Sequence, residues 1–101
     1  MPRIQGLAET GILTGETQIK AFPGYVFSIT IAYAGGAAGD IFTLRDSATG
    51  IAGGHDEVVF TFPAANGTIT KDWAQGKKFE LGIFLNFHKI SGQLRIEMTY
   101  K

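Results

Sequence analysis

The sequence predicts an all-β fold: a single-domain antiparallel β-sandwich, jelly-roll-like or Greek-key, of about seven to eight strands. Three observations predict it. Two long stretches, Pro23 to Tyr33 and Lys78 to Phe87, alternate large apolar residues with smaller or polar ones at a period of two, the repeat of a strand with one buried face. Gly, Asn and Pro recur between such stretches at intervals of about 8 to 12 residues, a turn spacing typical of all-β domains; the 14 glycines in 101 residues supply many of them. No window carries the three-to-four-residue apolar period of an amphipathic helix.

Residues 1–15 read as an N-terminal arm or edge strand, with Ile4, Leu7, Ile12 and Leu13 placed between Gly6, Gly11 and Gly15. Four aliphatic side chains disfavour a solvated arm, so this segment is expected to lie on its own domain or on a neighbouring subunit. The sandwich proper is expected over residues 16–101. Glu16 to Phe22 reads as a strand and Pro23-Gly24 as a turn. In the stretch that follows, Tyr25, Phe27, Ile29, Ile31 and Tyr33 share one face, and Val26, Ser28, Thr30 and Ala32 the other. Ala34 to Gly39 is a loop, and Asp40 to Asp46 a strand with Phe42 and Leu44 inward. Ser47 to Asp56 forms a long Gly-containing connection, the kind of loop that often carries contacts. Glu57 to Pro63 returns with Val58, Phe60 and Phe62 inward.

Asn66-Gly67 is a strong turn signal and predicts a hairpin onto Thr68 to Trp73. Ala74-Gln75-Gly76 reads as the next turn. Lys78 to Phe87 then places Phe79, Leu81, Ile83, Leu85 and Phe87 on one face, matched in length and pattern to Tyr25 to Tyr33. The last strand, Gln93 to Tyr100, turns Leu94, Ile96, Met98 and Tyr100 inward.

Composition narrows the function. Nine basic and nine acidic residues cancel, and the longest basic run is Lys77-Lys78, which argues against a nucleic-acid partner. The absence of cysteine excludes disulfides and thiolate metal sites. No stretch approaches the roughly 20 apolar residues of a membrane helix, and Met-Pro-Arg-Ile-Gln-Gly lacks the apolar run of a secretion signal. The expectation is a soluble chain made in a cytoplasm, with no membrane partner and no cofactor.

No motif for nucleophilic catalysis or phosphate binding occurs, and the expectation is a non-enzyme. His55-Asp56-Glu57 gathers a histidine and two carboxylates, but adjacent strand residues point to opposite faces, so no metal site is assigned. Asp40, Asp46, Asp56, Asp72, Glu80 and Glu97 are expected at strand ends or outward faces, solvated. Asn66-Gly67-Thr68 matches a glycosylation acceptor but reads as a turn. Trp73 is read as a core-edge residue, with a sugar platform or interface anchor as the functional alternative. Phe84 lies opposite the five inward residues of its stretch, and Val26 and Phe22 pose the same problem in theirs. A second apolar face predicts cover by the arm or by another subunit. The interface candidates are therefore Ile4, Leu7, Ile12, Leu13, Val26, Trp73 and Phe84.

The succession Gly-Tyr-Val-Phe-Ser-Ile-Thr-Ile-Ala, Ala-Gly-Asp-Ile-Phe-Thr-Leu-Arg-Asp, Ala-Ala-Asn-Gly-Thr-Ile-Thr-Lys and Gln-Gly-Lys-Lys-Phe-Glu-Leu-Gly-Ile-Phe resembles small virion proteins of tailed bacteriophages from about Phe22 to Tyr100. The resemblance implies a structural protein of the particle, foremost a capsid decoration (cement) protein. Its implied partners are the major capsid protein or other virion proteins, and it implies a homo-oligomer, trimer or dimer. A neck or tail adaptor and a carbohydrate- or receptor-binding module using Trp73 and Tyr33 are the alternatives. The resemblance carries over no binding residue.

Overall fold

The strands pair as four nested antiparallel hairpins. The computed structural model describes residues 6–13 and 15–101, with side chains from Gly15 onward. Along the chain run β1 (Gly6–Leu13), β2 (Thr17–Lys20), β3 (Gly24–Ala34), β4 (Ile41–Asp46), β5 (His55–Thr61), β6 (Gly67–Phe79), β7 (Ile83–Lys89) and β8 (Gln93–Tyr100), with a short 3-10 turn at Gly50–Ala52. β1 pairs with β8, β2 with β7, β3 with β6 and β4 with β5. Two further ladders, β3 with β8 and β4 with β7, join these pairs into sheets of order β1-β8-β3-β6 and β2-β7-β4-β5. This is the eight-stranded order of a jelly roll, and the protein is an all-β sandwich.

The core lies between the sheets. Val26, Ile29, Ile31, Ile96 and Met98 from one sheet meet Phe42, Leu44, Ile83 and Leu85 from the other, all essentially without exposure. Tyr33 closes one end by stacking on Phe62, ring centroids 4.1 Å apart. β3 and β7 are inner strands of opposite sheets, and both send side chains into this core.

Several local expectations are corrected. In β3 the alternation breaks at Phe27. Val26 pairs with Tyr100 and Ser28 with Thr99, so Phe27 is an extra residue against β8; against β6 it alone faces Trp73 to Gly76. Such a bulge reverses which side chains point inward. Val26 therefore lies in the core with Ile29 and Ile31, while Tyr25 and Phe27 are half-buried outside it, their rings 6.4 Å apart. The predicted turn at Ala74-Gln75-Gly76 is the β6 half of this bulge. Gly76 has φ +86°, and a Cβ there would lie 2.9 Å from the Phe27 ring.

Lys78 to Phe87 is two strands. Phe79 ends β6 in one sheet and Ile83 begins β7 in the other, both pointing into the same core, while Leu81 between them is exposed. The Asn66-Gly67 hairpin is also absent, because β5 and β6 belong to different sheets. Asn66 instead accepts a hydrogen bond at its Oδ1 from the Gly35 N–H, tying two loops together. Phe84 does face away from the core, as its phase requires, yet it is buried. The loop carrying the 3-10 turn covers it: a Cβ on Gly50 would sit 3.5 Å from the Phe84 ring.

Gly82, in the crossing from β6 to β7, is wedged between strand ends. A Cβ there would approach the Lys20 carbonyl oxygen at 2.5 Å and the Ser47 carbonyl oxygen at 2.6 Å, whereas one on Gly15 would meet nothing within 4 Å. Gly82→Ala should therefore cost roughly 2 kcal/mol or more in denaturant unfolding, and Gly15→Ala no more than about 0.5 kcal/mol. Equal midpoints for the two variants would contradict this packing.

Candidate functional site

The chain changes sheets at every connection except that between β4 and β5, and the crossings collect at the two ends of the sandwich. At one end the β2–β3 turn, the β4–β5 loop and the β6–β7 turn come together. Asp46, last residue of β4, holds them: its Oδ2 accepts the Glu80 N–H at 2.9 Å, and its Oδ1 accepts those of Leu81 at 2.8 Å and Gly82 at 3.3 Å. The Gln18 amide adds a second tie. Its Nε2 donates to the carbonyls of Lys20, Ser47 and Ile83, and its Oε1 accepts the Gly50 N–H.

At the opposite end Asp40 does similar work, its Oδ2 accepting the N–H of Ala37 and both the N–H and the hydroxyl of Ser91. The expectation that Asp40 and Asp46 are solvated is thus corrected: both are buried acceptors for backbone donors the sheets leave unpaired.

β5 brings titratable groups to Asp46. A bulge places Leu44 opposite Val58 but Arg45 opposite Asp56, making Glu57 an extra residue. His55 then lies opposite Asp46, and Asp56 opposite Arg45. The His55 Nε2 is 2.8 Å from the Glu57 Oε2 and 4.0 Å from the Asp46 Oδ2. Glu57 uses its other oxygen on the Lys77 Nζ, at 2.8 Å, linking β5 to β6 of the other sheet. Asp56 turns away, accepting from Arg45 Nη1 and the Thr43 hydroxyl at 3.0 Å each. The sequence triplet thus splits as strand geometry requires, with Asp46 taking the place of Asp56 beside His55 and Glu57.

These contacts set the carboxylates' acidity. Burial alone would raise the Asp46 carboxyl, but the N–H groups of Leu81, Glu80 and Gly82, together with His55, hold it below its ordinary value. For Asp56, burial is likewise outweighed by Arg45, Thr43 and Asn86. The Lys77 hydrogen bond lowers Glu57 against a smaller opposing effect of burial, and the Ser91 N–H leads the lowering of Asp40.

The same end exposes apolar side chains. Phe22 in the β2–β3 turn, Ile51 in the β4–β5 loop and Leu81 in the β6–β7 turn are 70%, 61% and 46% exposed. Beside them Lys20, Lys78 and Lys101 border a shallow hollow floored by Gly24 and Tyr25. Alternation flags Phe22 but places Leu81 inward, which the structure corrects, and it gives no reading of Ile51 in its loop.

The proposed interface residues fare differently. Val26 is core and Phe84 is covered by its own chain, so neither offers a face to a neighbour. Trp73 is half-buried against the core from within the β6 bulge. Tyr33 is buried and pairs with Gly67, six positions along β3 from Phe27, a separation of roughly 20 Å, so Trp73 and Tyr33 do not form one platform. Leu7, Ile12 and Leu13 lie in β1, an edge strand integral to its sheet, with side chains outside the described residues, as is Ile4 altogether. No protein-family model matches the chain, and neither the curated proteins nor the solved structures searched gave a match.

Carboxyls lowered in the folded state stabilise it above their unfolded pKa values, near 4, and that stability is lost as pH falls through their folded values. Thermal stability should hold between pH 7 and about pH 5 and drop below about pH 4. Asp46→Asn should remove roughly 1–3 kcal/mol at neutral pH, since the amide cannot accept all three N–H groups, and should flatten the acid limb. A variant as steeply acid-sensitive as the wild type would exclude Asp46 as a contributor.

Proposed function

We propose that this chain is a non-enzymatic structural protein of a tailed-bacteriophage particle, and specifically a decoration protein that docks on the head lattice through the loop end bearing Phe22, Ile51 and Leu81. The exposure of these three side chains on three converging turns is the observation that carries the reading. Apolar groups presented together in this way favour a protein partner that removes them from water. Lys20, Lys78 and Lys101 beside them supply the polar rim such contacts have, and suit a capsid surface with acidic groups around an apolar centre.

The sequence resemblance to small virion proteins points the same way, and jelly rolls are a recurrent architecture of viral capsid domains. The zero formal charge suits a chain that packs in many copies, where a large net charge would make neighbours repel. In this reading the protein sits at lattice junctions as a trimer or dimer.

The test combines imaging with point variants. Electron microscopy of purified particles should place the chain on the outer head surface; a six- or twelve-fold ring at the neck or tail would replace this reading with the adaptor alternative. Phe22→Ser and Leu81→Ser, both at exposed positions, should leave the thermal midpoint within about 2 °C and weaken particle binding at least about tenfold. Undiminished attachment of both variants would remove this surface from the contact.

A further inference from the structure

Asp46, His55 and Glu57 place three metal-ligating atoms within 4.8 Å of one another, drawn from two adjacent strands of one sheet. We propose that they form a binding site for a zinc-like divalent cation, with the Nε2 of His55, the Oε2 of Glu57 and the Oδ2 of Asp46 as ligands. The donor set fits: a neutral imidazole and two carboxylates suit Zn2+ and its first-row neighbours, and three protein ligands leave a fourth position for water or an outside group.

Distances support it. Bonds of about 2.0–2.1 Å in a tetrahedral site put ligand atoms about 3.3 Å apart. The present separations of 2.8 Å from His55 to Glu57 and 4.0 Å from His55 to Asp46 fall on either side of that value. The third pair, Glu57 and Asp46, lies within 4.8 Å, so closing the site needs His55 and Glu57, whose side chains are 62% and 23% exposed, to move toward Asp46, which is 1% exposed and fixed.

The remaining contacts leave the ligand positions available. A carboxylate offers about four acceptor positions, and the backbone N–H groups of Glu80, Leu81 and Gly82 occupy three on Asp46. The one left over belongs to Oδ2, the oxygen nearest His55. Lys77 takes Oε1 of Glu57, orienting the carboxylate while leaving Oε2 to the cation. Without metal, the 2.8 Å contact places the imidazole N–H on Nε2 toward Glu57; ligation through Nε2 requires the tautomer with that proton on Nδ1. The site arises from pairing rather than from a local motif, since Asp46 and His55 lie on opposite sides of the β4–β5 loop. A bound cation would tie that loop's two ends together independently of what docks at the apolar rim.

The test is titration of untagged, chelator-treated protein with Zn2+ by calorimetry, and with Co2+ by its visible ligand-field absorption. Saturable uptake of one ion per chain, with the intense absorption of a four-coordinate cobalt site, is expected. His55→Ala and Glu57→Gln, both at the surface, should weaken uptake at least about tenfold with unchanged circular dichroism, while His88→Ala binds as the wild type does. No saturable uptake by the wild type, or uptake unaffected by His55→Ala, would overturn the site; loss confined to His88→Ala would also overturn it.

Discussion

Where a strand leaves one sheet for the other, its backbone donors lose their ladder partners, and the fold depends on how those donors are met. The carboxylates of Asp40 and Asp46, flanking β4 at its two ends, meet five of these donors between them, and Asp40 accepts the Ser91 hydroxyl as well. A charged acceptor taking several backbone donors is both strong and geometrically demanding, because each added N–H restricts where the carboxylate can sit. β4 thus acts as a strut fixing the loops at both ends of the sandwich. The Gln18 amide of β2 works in the opposite sense, donating to three carbonyls and accepting one N–H, and the close approach of Gly82 to two carbonyl oxygens shows how little room the crossing leaves.

Alternation in the sequence reports burial but not sheet membership. Phe79 and Ile83 both face the core, so their spacing reads as one strand even though the chain passes between sheets at Leu81. For the same reason Asn66-Gly67 looked like a hairpin: turn chemistry marks a reversal without saying which strand lies beyond it. The fold class and most inward residues were legible, since Phe42, Leu44, Phe60, Phe62, Ile83, Leu85, Leu94, Ile96 and Met98 are buried where the period places them. Apart from Leu81, where the chain passes between sheets, the main exceptions arise at bulges. One extra residue at Phe27 exchanges Val26 for Tyr25 and Phe27, and one at Glu57 exchanges Asp56 for His55 opposite Asp46. Neither carries a local signal, although Gly76, across from Phe27, is the residue that permits the first.

The candidate sites were legible in part. Strand geometry correctly separates Asp56 from His55 and Glu57, but the cross-strand partner Asp46 lies nine residues earlier and becomes visible only with the register. Phe84 shows the reverse case. Its phase correctly places it outside the core, and what covers it is a loop of the same chain, so an apolar residue on the second face does not by itself call for a neighbour. Of the exposed large apolar side chains, Val59 lies on the outer face of β5, while Phe22, Ile51 and Leu81 lie in turns and loops.

The nested pairing has a consequence for how the molecule forms. Among the described residues β4 and β5 are the sole consecutive strands that pair with each other, and each ladder outside them joins segments farther apart in the chain, ending with Gly6 opposite Tyr100. Closing the outermost pair first would cost the entropy of a loop nearly as long as the chain, whereas each inner pair, once formed, shortens the loop the next must close. Loop entropy therefore favours zipping outward from the β4–β5 hairpin, with β1 and β8 last, and the high sequence separation of the outer ladders places this chain among slow folders for its size. The segment that nucleates such a sequence is the one bounded by Asp46 and His55.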